Sequence, residues 1–246
     1  MKGYYSENKV INISDCDYSG KLSIPSTFRM LQDLATSHAE ILGIGYETMI
    51  KKNMYWVAIK TVLEFEDYPK MLDEIKLETF PSEPNKIRCD RNYNVYDMNN
   101  NIIIQGKTEW VVINIISKRP EIVRDVYPSN MEYVKDKPIT SIEFSSFNST
   151  YDDFKCVGSY TVNSQDIDLG GHLNNAEYLR VVFGYLTTKE LESFKIKRVE
   201  VNYKTASYEL ESLKFFRKDY DDKIEFVAFN NLDKIVVNII ITKEKN

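Results

Sequence analysis

Apolar and polar positions along this 246-residue chain change period several times, and each change marks an element. Residues 9–14 alternate and predict a short strand. Phe28, Leu31, Leu34, Ala35, Ala39 and Leu42 then form a helical stripe. Ser23-Ile24-Pro25-Ser26 supplies the helix entry, with proline in the first turn, and Gly43 fits its exit. Tyr46 to Lys52 predicts a short second helix. Beyond Met54 the period drops to two, with strands expected over 55–65, 74–80, 87–97 and 102–117. Pro81-Ser82-Glu83-Pro84-Asn85 and Asp97-Met98-Asn99-Asn100-Asn101 are the turns between them.

The order then starts again. A stretch without period, rich in Ser, Asn, Asp and Pro, separates a first domain of residues 1–130 from a second of residues 150–246, with 131–149 as linker. The second half offers a strand over 156–164 and a helical stripe of Tyr178, Val181, Val182, Tyr185 and Leu186. Strands follow over 196–205, 212–218, 223–230 and 234–242. Each half is thus a strand, a loop, a long helix and an antiparallel meander, an α+β arrangement with the helix packed on a curled sheet.

The stretch from Asn163 to Tyr178 carries the chemistry. It holds Asp166, Asp168, Gly170, Gly171 and His172, one of only two histidines, followed by Asn174 and Asn175. Either asparagine suits a helix N-cap, because its short side chain accepts from the exposed N–H groups of the first turn. His172 therefore belongs to a loop at the positive end of a helix, which favours an anion or an oxygen becoming anionic. The other histidine, His38, falls inside the first helix and reads as a surface or satisfied core residue.

Asp15-Cys16-Asp17-Tyr18-Ser19-Gly20-Lys21-Leu22 repeats the pattern of Asp166 to Leu173 at an offset of 166 − 15 = 151. Asp15, Asp17, Gly20 and Leu22 match Asp166, Asp168, Gly171 and Leu173, each set ahead of a helical segment. This reads as an internal duplication. The copies part at the reactive position, where Lys21 stands in place of His172. One half is expected to be active and the other supporting.

Composition narrows the field. The net charge of −5 argues against nucleic acid as the main partner, since phosphate binding needs basic clusters. Cys16, Cys89 and Cys156 are odd in number and far apart, and no Cys/His cluster has metal-ligand spacing. No disulfide framework, metal or cofactor is expected, and a reducing cytoplasm fits best. The N-terminal residues lack an apolar signal core, and the most apolar run, Trp110 to Ile116, is too short to span a bilayer. No membrane association is expected.

With these residues in view, the chain resembles the plant and bacterial acyl-[acyl-carrier-protein] thioesterases. Their signature loop, Asp-x-Asn-x-His-x-Asn-Asn-x-x-Tyr, is matched by Asp168 through Tyr178. Leu31 to Tyr46 resembles the family's first helix, and Trp110 to Ile113 with Lys118-Arg119-Pro120 its late strand. The resemblance implies a tandem hotdog fold and hydrolysis of the thioester joining a fatty acyl chain to its carrier protein. It places Asp168 and His172 at the catalytic positions. It also carries departures: Gly170 replaces the Asn, and Tyr203-Lys204-Thr205-Ala206-Ser207 replaces Tyr-x-x-Glu followed often by Cys.

His172 is then the candidate general base, Asp168 its orienting group or the holder of the water, and backbone N–H groups near Asn174 and Asn175 the oxyanion donors. One such donor typically contributes about 3 kcal/mol. Glu209 and Glu211 are the nearby acids that stand closest in sequence to the missing carboxylate. The implied partner is an acyl carrier protein, acidic in this resemblance, with Lys195, Lys197, Arg198 and Lys204 as a docking patch. A homodimer is one expected assembly. Two other readings remain: an acyl-binding or regulatory hotdog protein without catalysis, and a thioesterase acting on acyl-coenzyme A.

Overall fold

A computed structural model of the chain describes residues 3–135 and 141–245. Residues 136–140, part of the expected linker, lie outside the described residues. The chain divides into two compact units, the first made of residues up to Thr61 with Phe65–Ile142, the second of Val62–Glu64 with Glu143 onward. Among the described residues no helix is long and apolar enough to cross a membrane.

The first unit contains strands β1 (Tyr5–Val10), β2 (Met54–Phe65), β3 (Glu74–Pro81), β4 (Cys89–Tyr96) and β5 (Ile102–Asn114). Its helices are α1 (Ile24–Ile41), α2 (Tyr46–Lys51) and α3 (Val123–Val126). The strand order is β1-β3-β4-β5-β2. Ser23 caps α1 by accepting from the Ser26 N–H at 3.2 Å, and Pro25 sits in the first turn. The helix leaves through Gly43 at φ +71, a conformation without cost only for glycine. Phe28, Leu31, Leu34, Ala35 and His38 are its buried stripe. At its far end Leu42, Ile44 and Met49 pack with Cys89, Val112, Val123, Val126 and Tyr127, and the Trp56 Nε1–H donates to the Ile44 carbonyl at 3.0 Å.

Register shows which side chains α1 covers. Thr79 pairs with Tyr93, Arg91 with Thr108 and Cys89 with Trp110. Side chains two apart share a face, so these residues line one surface of the sheet. His38 reaches that surface, bonding to Arg91 and stacking on Tyr5.

The second unit contains β6 (Lys155–Thr161), α4 (Asn175–Phe183), α5 (Thr188–Glu192), β7 (Phe194–Tyr203), β8 (Ser212–Asp219), β9 (Lys223–Phe229) and β10 (Ile235–Lys245). Its strand order, β6-β8-β9-β10-β7, is that of the first unit taken element for element. Tyr185, just past α4, lies against Phe215 with ring centroids 5.5 Å apart and covers Gly158 of β6.

Two local expectations are corrected. The first strand lies earlier, at Tyr5–Val10, and Ile13–Asp15 is a 3-10 turn. The Asp15 carboxylate accepts from the Asn12 N–H at 3.0 Å, so this stretch closes on itself instead of pairing. The second unit's principal helix is not long: α4 has nine residues against eighteen in α1. It stops at Gly184, and Thr187 caps a separate α5 by accepting from the Glu190 N–H. The stretch after Glu143 is bonded to the second unit. Ser145 donates its N–H to Glu200 Oε1 at 2.8 Å, and Asn238 Nδ2 donates to the Tyr151 hydroxyl at 2.7 Å. Phe154 is buried.

Candidate active site

The His172 loop is built from backbone bonds inward. Ser164–Asp166 forms a 3-10 turn, then Ile167 bridges to Leu173. The Asp168 N–H donates to the His172 carbonyl at 2.9 Å, and the Gly171 N–H returns to the Asp168 carbonyl at 3.0 Å. Gly171 takes φ +77, which is why a glycine is needed there. The loop is anchored to the segment after β7 by the Leu173 N–H, 2.9 Å from the Ser207 carbonyl.

Asp166 is the loop's buried foot, 3% exposed. Its carboxylate accepts from the Tyr160 hydroxyl at 2.7 Å, the Asn163 N–H at 2.9 Å and Arg180 Nη2 at 2.9 Å. Arg180 comes from α4, so one ion pair ties the start of the loop to the helix that follows it. Partial burial works against the Arg180 charge, but bonds to Glu177 and Tyr160 outweigh it and raise its pKa. The sequence marks Asp166 in this loop and in the repeat but gives it no role of its own.

Asp168 and His172 converge. A Cβ placed on Gly170 would lie 3.0 Å from Asp168 Oδ1 and 3.4 Å from His172 Nδ1, so both side chains lean over that glycine. Asp168 Oδ1 accepts from the Gly170 N–H at 2.8 Å and lies 3.5 Å from the His172 N–H. The imidazole rests against the exposed Tyr208 ring, centroids 5.1 Å apart.

The helix terminus sorts the two asparagines. Asn174 is the N-cap: its Oδ1 accepts from the Ala176 N–H at 2.9 Å, and its own N–H donates to the Asp166 carbonyl at 2.8 Å. The Glu177 N–H is taken by the Asn174 carbonyl at 3.0 Å. The Asn174 backbone N–H is thereby committed, whereas its side-chain Nδ2 has no partner among the described residues. The Asn175 N–H has no partner among the described residues and remains the first-turn donor. Its peptide is steadied from the other side, where the Tyr203 hydroxyl donates to the Asn175 carbonyl at 3.3 Å.

The segment carrying the departures lies beside this loop. Ser207 is fully buried and accepts from the Tyr178 hydroxyl at 3.0 Å. Burial pushes the Tyr178 phenol up to about 12, with the Ser207 bond working the other way, so it stays a neutral donor. Ala206 is exposed and brings no carboxylate. Glu211 is occupied, its Oε2 accepting from the Tyr208 N–H at 3.0 Å. Glu209 is exposed.

The proposed basic patch is divided by the partners its members already have. The β7–β10 register shifts between Thr242, opposite Arg198, and Lys243, opposite Ile196, so side-chain alternation is interrupted at Lys197 and the cations differ by what each already meets. Arg198 is engaged by Glu200 at 2.8 Å, by Glu64 at 3.1 Å and by the Glu143 carbonyl at 2.5 Å. It is not a docking cation. Lys204 is exposed. Among the described residues no group of three or more His, Cys, Asp or Glu is placed to hold a metal ion.

Comparison with known structures gives the class first. The chain superposes on a Bacteroides thetaiotaomicron acyl-ACP thioesterase with a TM-score of 0.87 at 22% identity, covering 98% of each chain. It superposes on the 12:0-ACP thioesterase from Umbellularia californica with a TM-score of 0.81 at 19% identity, covering 99% of this chain and 98% of the other. At these identities the likeness establishes the fold, a double hotdog of α+β type. The sequence then gives the family. Residues 2–130 match the acyl-ACP thioesterase N-terminal domain and residues 150–234 its C-terminal domain. The chain belongs to the acyl-ACP thioesterase family. It is 26% identical over 197 residues to a chloroplastic palmitoyl-acyl carrier protein thioesterase of Arabidopsis thaliana, covering 74% of this chain and 47% of that protein. With the dodecanoyl-[acyl-carrier-protein] hydrolase of Umbellularia californica it shares 26% over 194 residues, covering 74% and 50%. The chain spans about half the length of these curated relatives.

Proposed function

We propose that this chain hydrolyses the thioester between a fatty acyl group and its carrier protein, using the His172 loop. The observation that carries the reading is the convergence of Asp168 Oδ1 and His172 Nδ1 over Gly170, beside the uncommitted Asn175 N–H. His172 takes a proton from water as the oxygen attacks the thioester carbonyl carbon. The resulting oxyanion is held by the Asn175 N–H at the positive end of α4. Collapse breaks the C–S bond, and the imidazolium returns its proton to the departing thiolate. Asp168 keeps the loop closed through Oδ1, and Oδ2, which has no partner among the described residues, is available to the water or to the imidazolium.

The carrier protein is the partner favoured by family membership, and a reducing cytoplasm fits an exposed, unpaired Cys156. A second reading, an acyl-binding protein without turnover, is favoured by Gly170 and Ala206, where the family's amide and acid are absent. The test is incubation with carrier proteins loaded with acyl chains of graded length, and with the matching coenzyme A thioesters, reading free fatty acid. Release from the carrier series supports the proposal. Preference for coenzyme A moves the substrate, and binding without release supports the second reading.

A further inference from the structure

The turn between β7 and β8 presents Tyr208 to His172, and its counterpart in the first unit shows that the backbone makes this placement. The Tyr208 N–H donates to Glu211 Oε2 at 3.0 Å, and the Glu211 N–H returns to the Tyr208 carbonyl at 3.1 Å. The Leu210 N–H donates to the Val162 carbonyl at 2.8 Å and the Val162 N–H to the Glu211 carbonyl at 3.0 Å, which fastens the turn to the residue after β6. Between β2 and β3 the same bonds recur. The Lys70 N–H donates to Asp73 Oδ2 at 2.7 Å and the Asp73 N–H to the Lys70 carbonyl at 3.0 Å. The Leu72 N–H donates to the Ile11 carbonyl and the Ile11 N–H to the Asp73 carbonyl, each at 2.9 Å. The bond from the Leu173 N–H to the Ser207 carbonyl, 2.9 Å, is matched by that from the Leu22 N–H to the Pro69 carbonyl, 2.8 Å. Each unit thus holds one residue of this turn against the reactive position of its loop. In the first unit the pair is Lys70 and Lys21, joined by an antiparallel bridge. In the second it is Tyr208 and His172, with ring centroids 5.1 Å apart and planes at 60°.

The Tyr208 side chain is 56% exposed, so burial alone does not account for a large ring at this place. An aromatic face carries a negative potential and attracts a cation within about 6 Å of its centroid. That attraction is weak toward a neutral imidazole and stronger toward an imidazolium. A histidine that takes a proton from the attacking water passes from the first form to the second. The contact therefore strengthens as the transition state forms, which is the condition for raising kcat instead of affinity. Ala206, two residues earlier, brings no carboxylate to balance the new charge. We propose that Tyr208 is a positioning residue for the hydrolysis, its ring holding the His172 imidazole and stabilising the positive charge that forms on it. The role rests on the thioesterase reading and acts through His172, without contact between Tyr208 and the thioester. Lysine at both places in the first unit supplies neither the base nor the ring.

The deciding experiment changes the ring face and keeps its shape. Tyr208→Phe, followed by mono-, di- and trifluorinated phenylalanine at the same position, withdraws electron density from the face step by step. Steady-state hydrolysis of one acyl-loaded carrier protein by the full chain is the readout, with thermal melts alongside. Tyr208→Phe is expected to keep kcat within about twofold of wild type, since the face remains. Across the fluorine series kcat should fall progressively, and Tyr208→Leu should end about three- to tenfold below wild type, as expected for loss of a cation–ring contact. KM and the melting temperature should hold throughout. A ring that only packs against the imidazole would give a flat fluorine series, and that result overturns the proposal. So does a loss already complete in Tyr208→Phe, which assigns the effect to the hydroxyl, or a change confined to KM, which assigns it to substrate contact. Lys70→Leu should leave the rate unchanged, and an equal fall there would count against a role specific to Tyr208. If wild type releases no fatty acid from any loaded carrier, the thioesterase reading fails and this role falls with it. If wild type turns over, His172→Ala does not and the fluorine series is flat, hydrolysis stands and only the role of Tyr208 is lost.

Discussion

The two loops, at Asp15–Ser23 and Asp166–Asn174, have the same backbone and different chemistry. Each begins in a 3-10 turn whose acid accepts from the N–H three residues back. The bond from the Asp17 N–H to the Lys21 carbonyl, 2.8 Å, is repeated from Asp168 to His172 at 2.9 Å. The Gly20 N–H donates to Asp17 at 3.1 Å as Gly171 does to Asp168 at 3.0 Å, and both glycines are left-handed, at φ +74 and φ +77. Ser23 and Asn174 each cap a helix and each donate back to the first acid of the loop. What differs is what the frame carries. Ser19 fills the place of Gly170 and donates both N–H and hydroxyl to Asp17 Oδ1, at 2.8 and 2.7 Å. Asp17 is thereby tied within its own loop, whereas Asp168 has only backbone N–H groups on Oδ1. The frame is held by backbone bonds that tolerate exchange of side chains, so one copy can keep a base while the other keeps only the turn.

The largest effect expected from breaking this comparison is at the reactive position. His172→Ala should lower acyl-carrier hydrolysis by about 10²–10⁴-fold, the usual contribution of a positioned base, with the melting temperature unchanged. Lys21→Ala should stay near wild type. Assayed side by side on one loaded carrier, equal rates for His172→Ala and wild type would make His172 a structural remnant and move the chain to the binding-protein reading.

Next comes the buried foot. Arg180→Met leaves the Asp166 carboxylate short of one charged donor and should cost about 1–3 kcal/mol of stability. Turnover should fall further than stability alone explains, because the loop loses its tie to α4. Asp15 is only half-buried and its counterpart bond is to backbone, so Asp15→Asn should cost less, about 0.5–1 kcal/mol. Denaturant melts order the two, and Arg180→Lys, which keeps the charge, should restore part of the rate. Equal stability costs in the two loops would mean that burial of Asp166 contributes nothing special.

Much of this was legible before the structure. Ser23 and Gly43 bracket α1 because a cap and a left-handed exit leave local signals, and the turns at 97–101 do the same. The repeat was legible because its acids and glycines are needed by the turn itself. Other features were hidden for physical reasons. The Asn12–Asp15 and Asn163–Asp166 caps read as strand continuation, since a three-residue turn is too short to impose a period. The length of α4 depends on one glycine and one threonine, not on its stripe. Arg198 stands next to Lys197 in sequence, but the Glu64 carboxylate and Glu143 carbonyl that engage it lie far away along the chain and leave no local signal. Arg91 and Glu200 sit inside the sheet, and charged residues at core positions conceal which face is buried.

Refilling the departed positions should sharpen the comparison more gently. Gly170 is not in the left-handed region, and Ser19 shows that the frame accepts a side chain at this place. A side chain at 170 needs Asp168 and His172 to yield by a few tenths of an ångström only. Gly170→Asn with Ala206→Glu should therefore fold, and it should raise kcat about tenfold or more if amide and acid had been limiting. Gly170→Ser alone, copying Ser19, should tie Asp168 and give no gain. A gain from serine equal to that from the double variant would show that filling the space, not supplying the amide, is what matters.

The smallest effect lies at a strained pair. Leu72 and Leu210 each stand two residues before a strand, at φ +71 and φ +66, and are 74% and 79% exposed. A branched side chain in this conformation costs about 1–2 kcal/mol, and so much exposure returns little by burial. Leu72→Gly and Leu210→Gly should each stabilise their unit by about 0.5–1 kcal/mol, after the entropy that glycine adds to the unfolded chain is subtracted. Melting curves measure this directly, and the two shifts should be alike because the backbone is alike. Activity separates the ends: Leu210 adjoins Glu211 and the Tyr208 turn beside His172, whereas Leu72 adjoins the Lys21 loop. Neither side chain takes part in the bonds that hold its loop, so both variants should keep the wild-type rate. A loss confined to Leu210→Gly would show that the exposed leucine itself meets the substrate or its carrier, and that the two ends have diverged in their surfaces as well as in their reactive residue.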